Sequence, residues 1–409
     1  MSRRFSSLFL ILPLAACGGP GVEPIDELPR PLTTAEINLV DADNRFAFKL
    51  FREVNVREDA GANVFISPLS VGMALGMAYN GAAGTTRDAM QATLELGDMT
   101  LTEVNESYQS LIALLRELDP RVEFTLANSI WYRDGIAVVP AFVDLNQRYF
   151  DAQVQALNFD DPGAAGVINA WVDETTRGKI TEIVTPPIDP TTIMFLINAI
   201  YFKGDWTHQF DKDRTRPEPF LLPDGSQTSV PMMSAEGEIP VRVHWEETLT
   251  MLDLWYGGRA YSMTILVPRD PATIDEVART VTQEQWNAWV ASLDSTESEV
   301  AVPKFTLEFE VTLNDVLAAL GMEVAFDPDA ADFTNLYAGP ARAFISRVKH
   351  KTFVDVNEEG TEAAAVTSVE VGVTSAPQRL VVDRPFLFAI RENFSGTILF
   401  MGKIVRPSQ

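Results

Sequence analysis

The sequence predicts an α+β fold, on three observations. Apolar residues recur at helical spacing in two long segments, Leu39–Val54 (Val40, Phe46, Phe48, Leu50, Phe51, Val54) and Thr102–Leu118 (Val104, Leu111, Leu114, Leu115). Other stretches read as strands: Phe124–Tyr132, the long apolar run Thr192–Trp206, and the alternating run Val300–Val311. The third observation is the stretch from Val356 to Leu380, around which the chain is organised. Thr361, Ala363, Ala365, Thr367, Val369, Val371 and Val373 fall on one face at a period of two. Glu362, Ala364, Val366, Ser368, Glu370 and Gly372 fall on the other, so both charges share a face. No Pro, Lys or Arg interrupts residues 361–374, so nothing blocks a ladder or carries a long cation into a core. Yet the stretch is rich in small residues and ends in Ser375-Ala376-Pro377-Gln378, the composition of an exposed loop. It suits two states, loop and strand. An ordinary edge strand followed by a loop would show the same alternation.

The N-terminus carries a targeting signal. Arg3 and Arg4 precede a short apolar run, Leu8–Leu14, too short to cross a bilayer as a helix. Leu14-Ala15-Ala16-Cys17 then resembles a bacterial lipobox, in which Cys17 becomes the lipidated first residue. A plain signal peptide with a chance cysteine is the alternative, but it favours a small residue where Leu14 stands. Residues 1–17 are therefore expected to be a lipoprotein signal with its cysteine, residues 18–36 a flexible tether rich in Gly and Pro, and residues 37–409 one folded domain. The expected location is the cell envelope of a bacterium. Gly18 stands where an Asp would mark inner-membrane retention, which favours the outer membrane and leaves its periplasmic and exterior faces open. Cys17 is the sole cysteine, so no intrachain disulfide forms.

The 32 basic and 57 acidic residues give a formal charge of −25, and loss of the signal leaves 30 against 57, a net −27. Such acidity opposes binding to nucleic acid or to anionic membrane. Membrane contact is expected only through the N-terminal lipid. At 46% hydrophobic and 22% charged, the chain can bury a large core.

The elements follow in order. Ser67 can cap a helix with Pro68 at its first position, leading a run through Tyr79 rich in Ala, Gly and Met. The segment Thr102–Leu118 holds one basic residue, Arg116, among Glu103, Glu106 and Glu117, which argues against a polyanion such as heparin docking there. Ala141–Tyr149 is a predicted helix behind Pro140, and Gly178 closes the helix that contains Trp171. Asn198 sits inside the apolar run Thr192–Trp206 and needs a hydrogen-bond partner, for which His350 is the candidate. His350 could equally be a surface residue of the basic string Arg347–Lys351. Leu249–Pro268 reads as β-rich, with Ala260–Leu266 a buried strand, and Pro271–Leu293 as helical. Leu313–Leu320 is a helix closed by Gly321, and Phe386–Ile390 with Ile398–Val405 forms a buried hairpin.

Several strings carry a resemblance. Asn357-Glu358-Glu359-Gly360-Thr361-Glu362-Ala363-Ala364-Ala365-Val366-Thr367 resembles the hinge of the reactive-centre loop of the serpin family, with Val366 the one departure from a run of alanines. Asp383–Phe388 and Phe400–Ile404 resemble the strands that follow that loop. Asn63–Ser70, Ile168–Ile180 and Gly321–Phe333 resemble further serpin motifs, in the same order. The resemblance implies a serpin fold with three β-sheets, about nine helices and an exposed reactive loop. It implies that Ser67, Ser70, Asn198 and His350 form a polar shutter beneath the main sheet. It places Trp206 and Lys304 in a breach at the top of that sheet, Lys304 paired with Glu358.

The activity implied is inhibition of a serine protease as a suicide substrate. The protease attacks the loop, and the freed proximal half then enters the central sheet and drags the acyl-enzyme with it; loop insertion of this kind is a known switching transition. Counting fourteen residues on from Gly360, or eleven back from Pro385, reaches Thr374, so the expected reactive bond is Thr374–Ser375. Val373 and Val371 precede it, and small or β-branched residues there suit an elastase-like or subtilisin-like protease. The alternatives are a noninhibitory protein of the same fold that is merely cleaved, and a cross-class inhibitor of papain-like cysteine proteases. No Gly-x-Ser-x-Gly, His-Glu-x-x-His or Walker string supports an enzyme. Asp327-Pro328-Asp329 with Asp332 lacks the glycine and glutamate of a calcium loop and reads as a turn. Neither a cofactor nor a metal is expected, and the domain is expected to be a monomer.

Overall fold

The computed structural model describes residues 24–361 and 379–408. Six strands make one sheet, in the order β11 (Phe305–Thr312), β12 (Lys349–Val356), β13 (Gly360–Thr361), β4 (Met194–Asp205), β2 (Val122–Arg133) and β3 (Gln153–Leu157). A second, ten-stranded assembly runs β1 (Val64–Ile66), β16 (Ile398–Ile404), β15 (Phe386–Glu392), β9 (Tyr261–Pro268), β8 (Leu249–Tyr256), β7 (Ile239–Trp245), β10 (Asp294–Pro303), β6 (Gln227–Ser234) and β5 (Arg216–Leu221). Its tenth strand, β14 (Arg379–Val381), lies parallel to β10. Residues Asp294–Ser298 of β10 pair with β7, whereas Ala301–Pro303 pair with β6. The assembly is thus two sheets sharing β10, which makes three sheets among the described residues.

Eight helices are continuous: α1 (Thr34–Arg57), α2 (Pro68–Tyr79), α3 (Gly84–Thr93), α4 (Leu101–Glu117), α5 (Pro140–Phe150), α6 (Ala164–Thr175), α7 (Ile274–Thr280) and α8 (Gln283–Ala291). A ninth, over residues 314–326, is interrupted at Gly321, whose φ of 115° breaks its regular turns. That break is where the sequence predicts a stop. Nine helices therefore lie among the described residues, besides two short 3₁₀ turns at Lys212–Arg214 and Pro271–Thr273.

Local chemistry sets the boundaries. Thr33 caps α1 and Glu36 closes a capping box, so the helix begins three residues before the expected start of the domain. Residues 24–33 are laid on the domain too. Ile25 N–H donates to Gly258 O at 2.7 Å, and Arg30 pairs with Glu36 at 2.6 Å. The flexible tether expected over 18–36 does not reach into these residues, because each end of the segment finds a partner. The predicted single helix 271–293 is broken between α7 and α8, where Thr282 starts a new capping box. The predicted strand Val300–Val311 is two strands in different sheets. Pro303 offers no N–H, and Lys304 turns its own N–H to Pro231 O, so the chain changes sheets there.

The core lies between the sheets and around α2. Ser67 accepts from Ser70 N–H and Pro68 takes the first helical position, as expected. β9, β15 and β16 are buried along their whole length. β4, predicted to be buried, is not: seven of its twelve residues are partly exposed. Its ladder with β2 is continuous from Val122↔Gly204 to Tyr132↔Met194, but on its other side, among the described residues, Gly204 and Asp205 alone are paired.

Candidate functional site

The hinge is built by two residues of β13. Thr361 pairs with Val356 of β12 on one side and with Gly204 of β4 on the other, antiparallel to both. Two residues of the loop segment thus already stand as a strand between β4 and β12. Thr361 is 3% exposed, and its Oγ1 lies 2.7 Å from the Tyr256 hydroxyl. Its side chain therefore faces the core, on the face that the alternation assigns to it.

Gly360 is held by closeness and not by a left-handed backbone. A Cβ there would lie 2.1 Å from Gly204 O and 2.7 Å from Asp205 Cα. The structure gives this hinge glycine a backbone-to-backbone contact that only glycine fits.

Around the hinge, the breach is tightly bonded. Trp206, 2% exposed, stacks on Tyr256 with ring centroids 4.4 Å apart, and its Nε1–H donates to Asn357 O at 2.9 Å. Trp206 N–H donates to Glu359 O, and Phe210 N–H donates to Glu358 O, both at 2.8 Å. Glu358 accepts from Lys304 Nζ at 2.9 Å and from Thr215 Oγ1 at 2.7 Å. Burial pushes the Glu358 carboxyl up, but the Lys304 ammonium and the Thr215 hydroxyl outweigh it and hold it below the usual range. Glu359 pairs with Lys212. Lys304, Glu358 and Trp206 thus meet as the resemblance implies.

Below the hinge lie the shutter residues. Ser67 Oγ–H donates to Leu399 O at 2.8 Å, and Ser67 N–H donates to His350 Nε2 at 2.9 Å. Ser70 Oγ reaches Asn198 O at 3.4 Å. Asn198 does not bond His350. Its Nδ2 donates to Asn128 Oδ1 at 2.8 Å, and its buried Oδ1 has no partner among the described residues. The reason is the register. Asn198 lies six residues from Gly204 and His350 six from Val356, so the two are level. But at Gly204 and Val356, where β4 and β12 flank β13, they stand two ladder spacings apart, roughly 10 Å, and among the described residues no pairing joins β4 to β12 further along. Residues of β4, β12 and α2, among them Asn198, His350, Ser70 and Leu75, border a cavity of about 680 Å³.

These strands, hinge and breach match one known architecture. A family model described as serpin (serine protease inhibitor) matches residues 41–407. The chain belongs to the serpin family. It is 34% identical over 380 residues to the human leukocyte elastase inhibitor, covering 90% of this chain and 99% of that one. It is 36% identical to human serpin B8, covering 90% and 100%. Among solved structures it is similar to a thermophilic serpin, tengpin, in its native state, with a TM-score of 0.81 at 30% identity and 94% and 97% coverage. Human thyroxine-binding globulin complexed with thyroxine is also similar, at a TM-score of 0.83, 27% identity and 92% and 100% coverage.

Of the residues that the serpin resemblance singles out, Glu358, Glu359, Gly360, Thr361, Ser67, Ser70, Asn198, His350, Trp206 and Lys304 are in the described part. Glu362, Ala363, Ala364, Ala365, Val366, Thr367, Val371, Val373, Thr374 and Ser375 lie outside it, as does Cys17 of the lipobox. Sequence reasoning missed Tyr256, Asn128, Lys212 and Thr215. Asn128 carried a signal: like Asn198, it is a lone amide in an apolar strand, and the two are cross-strand partners. Lys212 and Thr215 carried none, since they lie in a surface turn that long-range folding brings to the hinge.

His350 is buried, and burial pushes its pKa down to about 4. As neutral imidazole it accepts the Ser67 N–H. The unfolded chain takes up this proton near pH 6.5 and the native state only near 4. This group's share of stability is therefore intact above pH 6.5 and lost as pH falls to 4, about 3 kcal/mol in all. The apparent Tm of the wild type should fall more steeply across that window than that of His350→Gln. Parallel curves would contradict a neutral buried His350.

Proposed function

We propose that this serpin inhibits serine proteases of the elastase-like or subtilisin-like kind as a suicide substrate. The observation that carries the reading is β13, which begins a strand between β4 and β12 with Thr361 already turned into the core. The protease serine would attack the Thr374 carbonyl, forming an acyl-enzyme and releasing the Ser375 amine. The freed segment would extend β13 downward, antiparallel to both neighbours, before water cleaves the ester. In that register position 367 comes level with Asn198 and His350, and Thr367 faces the same side as Thr361. Its hydroxyl is a suitable donor for the unpartnered Asn198 Oδ1.

Similarity to the human leukocyte elastase inhibitor supports this class of target, as do Val371, Val373 and Thr374, which carry no charge for a trypsin-like pocket. Intact-mass analysis after exposure to such a protease tests the bond. The expected product is a C-terminal fragment starting at Ser375; a cut only after Arg379 would sink the assignment.

Export as a lipoprotein through Cys17 belongs to the same reading, supported by the string Leu14-Ala15-Ala16-Cys17. Cys17→Ser should move the protein from the membrane fraction to the soluble one in the native host. A variant that stays in the membrane fraction would refute lipid attachment at Cys17.

A further inference from the structure

Arg379 is the only basic residue between Lys351 and Arg384. It opens β14, where it lies opposite Glu299 in the parallel ladder with β10. Its guanidinium meets three other strands. Nη2 donates to Glu218 Oε1 at 2.9 Å and Nη1 to Glu218 Oε2 at 3.3 Å, a two-pronged contact with β5. Nη2 also donates to Ser234 Oγ at 3.0 Å at the end of β6, and Nε lies 3.7 Å from Glu299 Oε1 on β10. The side chain is 34% exposed, Glu218 28% and Glu299 24%. The next residue, Leu380, is buried.

We propose that Arg379 is a positioning residue that fixes the distal end of the reactive loop and withholds its own peptide bond from arginine-specific proteases. The hinge fixes one end of the loop at Thr361, and Arg379 fixes the other. A planar fork held by a carboxylate on each of two strands sets direction as well as place, which a lysine at this position would not do. An arginine-specific protease needs this side chain extended into its pocket. Here the side chain must first leave Glu218, Glu299 and Ser234, and the backbone must leave β10. The clamp thus selects against trypsin-like enzymes at the one basic residue near the expected reactive bond. The proposal rests on the inhibitor reading for its purpose, but its geometry and its test do not.

The test is native-state trypsin digestion of the mature chain and of the Glu218→Gln/Glu299→Gln variant, with cleavage mapped by mass spectrometry. Both changes are isosteric and partly exposed, and matching Tm values establish that the variant is folded. The expected result is cleavage after Arg379 at least tenfold faster in the variant. Raising salt should speed that cut in the wild type, since exposed pairs are screened, and not in the variant. Arg379→Lys should also be cut faster than the wild type, because lysine keeps trypsin's preference and loses the fork. Equal rates in wild type and variant would overturn the proposal. So would a bond that stays uncut in both, since the β10 ladder and not the carboxylates would then protect it. Neither result depends on whether an elastase-like protease is trapped.

Discussion

Thr361→Arg is expected to abolish protease trapping while leaving cleavage of the loop intact. Thr361 is 3% exposed, bonded to the Tyr256 hydroxyl, and lies where β13 meets both β4 and β12. Any strand that grows from β13 must carry this side chain inward. Burying an unpaired guanidinium there in place of the small hydroxyl costs several kcal/mol. A rise of about 3 kcal/mol in the insertion barrier slows insertion more than a hundredfold, while hydrolysis of the acyl-enzyme keeps its rate. The variant should therefore turn over as a substrate, with no complex that survives denaturation. A Thr361→Arg protein that traps as well as the wild type would show that position 361 does not enter the sheet.

Gly360→Val is expected to act at the same step by a different force. Its first side-chain atom would lie 2.1 Å from Gly204 O, and the obstacle is backbone, which a rotamer change cannot clear. β13 must then separate from β4, and the pairing of Gly360 with Asp205 and of Thr361 with Gly204 is lost. More than ten molecules of variant should be consumed per protease inhibited. Because the obstacle is steric and not ionic, the defect should not change with salt. Wild-type stoichiometry in Gly360→Val would mean that the hinge inserts without approaching β4 at this point.

Much of this was legible in the chain. The alternation from Thr361 onward assigned Thr361 to the buried face, and Ser67-Pro68 gave the start of α2. The paired roles of Glu358 and Lys304 came from the resemblance and not from spacing, since 54 residues separate them. What stayed hidden depends on which strands are neighbours. Alternation shows that a strand has a wet face, but not which sheet it joins, so in the run Val300–Val311 only Pro303 hinted at the break and nothing marked the change of sheet. The same limit explains the expected Asn198–His350 bond. Both are polar residues in strands that flank β13 and the register makes them level, but only the topology reveals that β4 and β12 are not paired with each other among the described residues. Asn198 finds Asn128 instead, and His350 finds the Ser67 N–H. Lys212 and Thr215, which hold the two hinge carboxylates, sit in a turn with no periodicity to read.

The most direct test of trapping is a denaturing gel of the chain lacking residues 1–17, after mixing with an elastase and, separately, with a subtilisin. The account predicts a band at the summed mass that survives boiling, because the acyl ester persists once the sheet has closed on the loop. A clipped chain beside free, active protease at every ratio, with both enzymes, would contradict it.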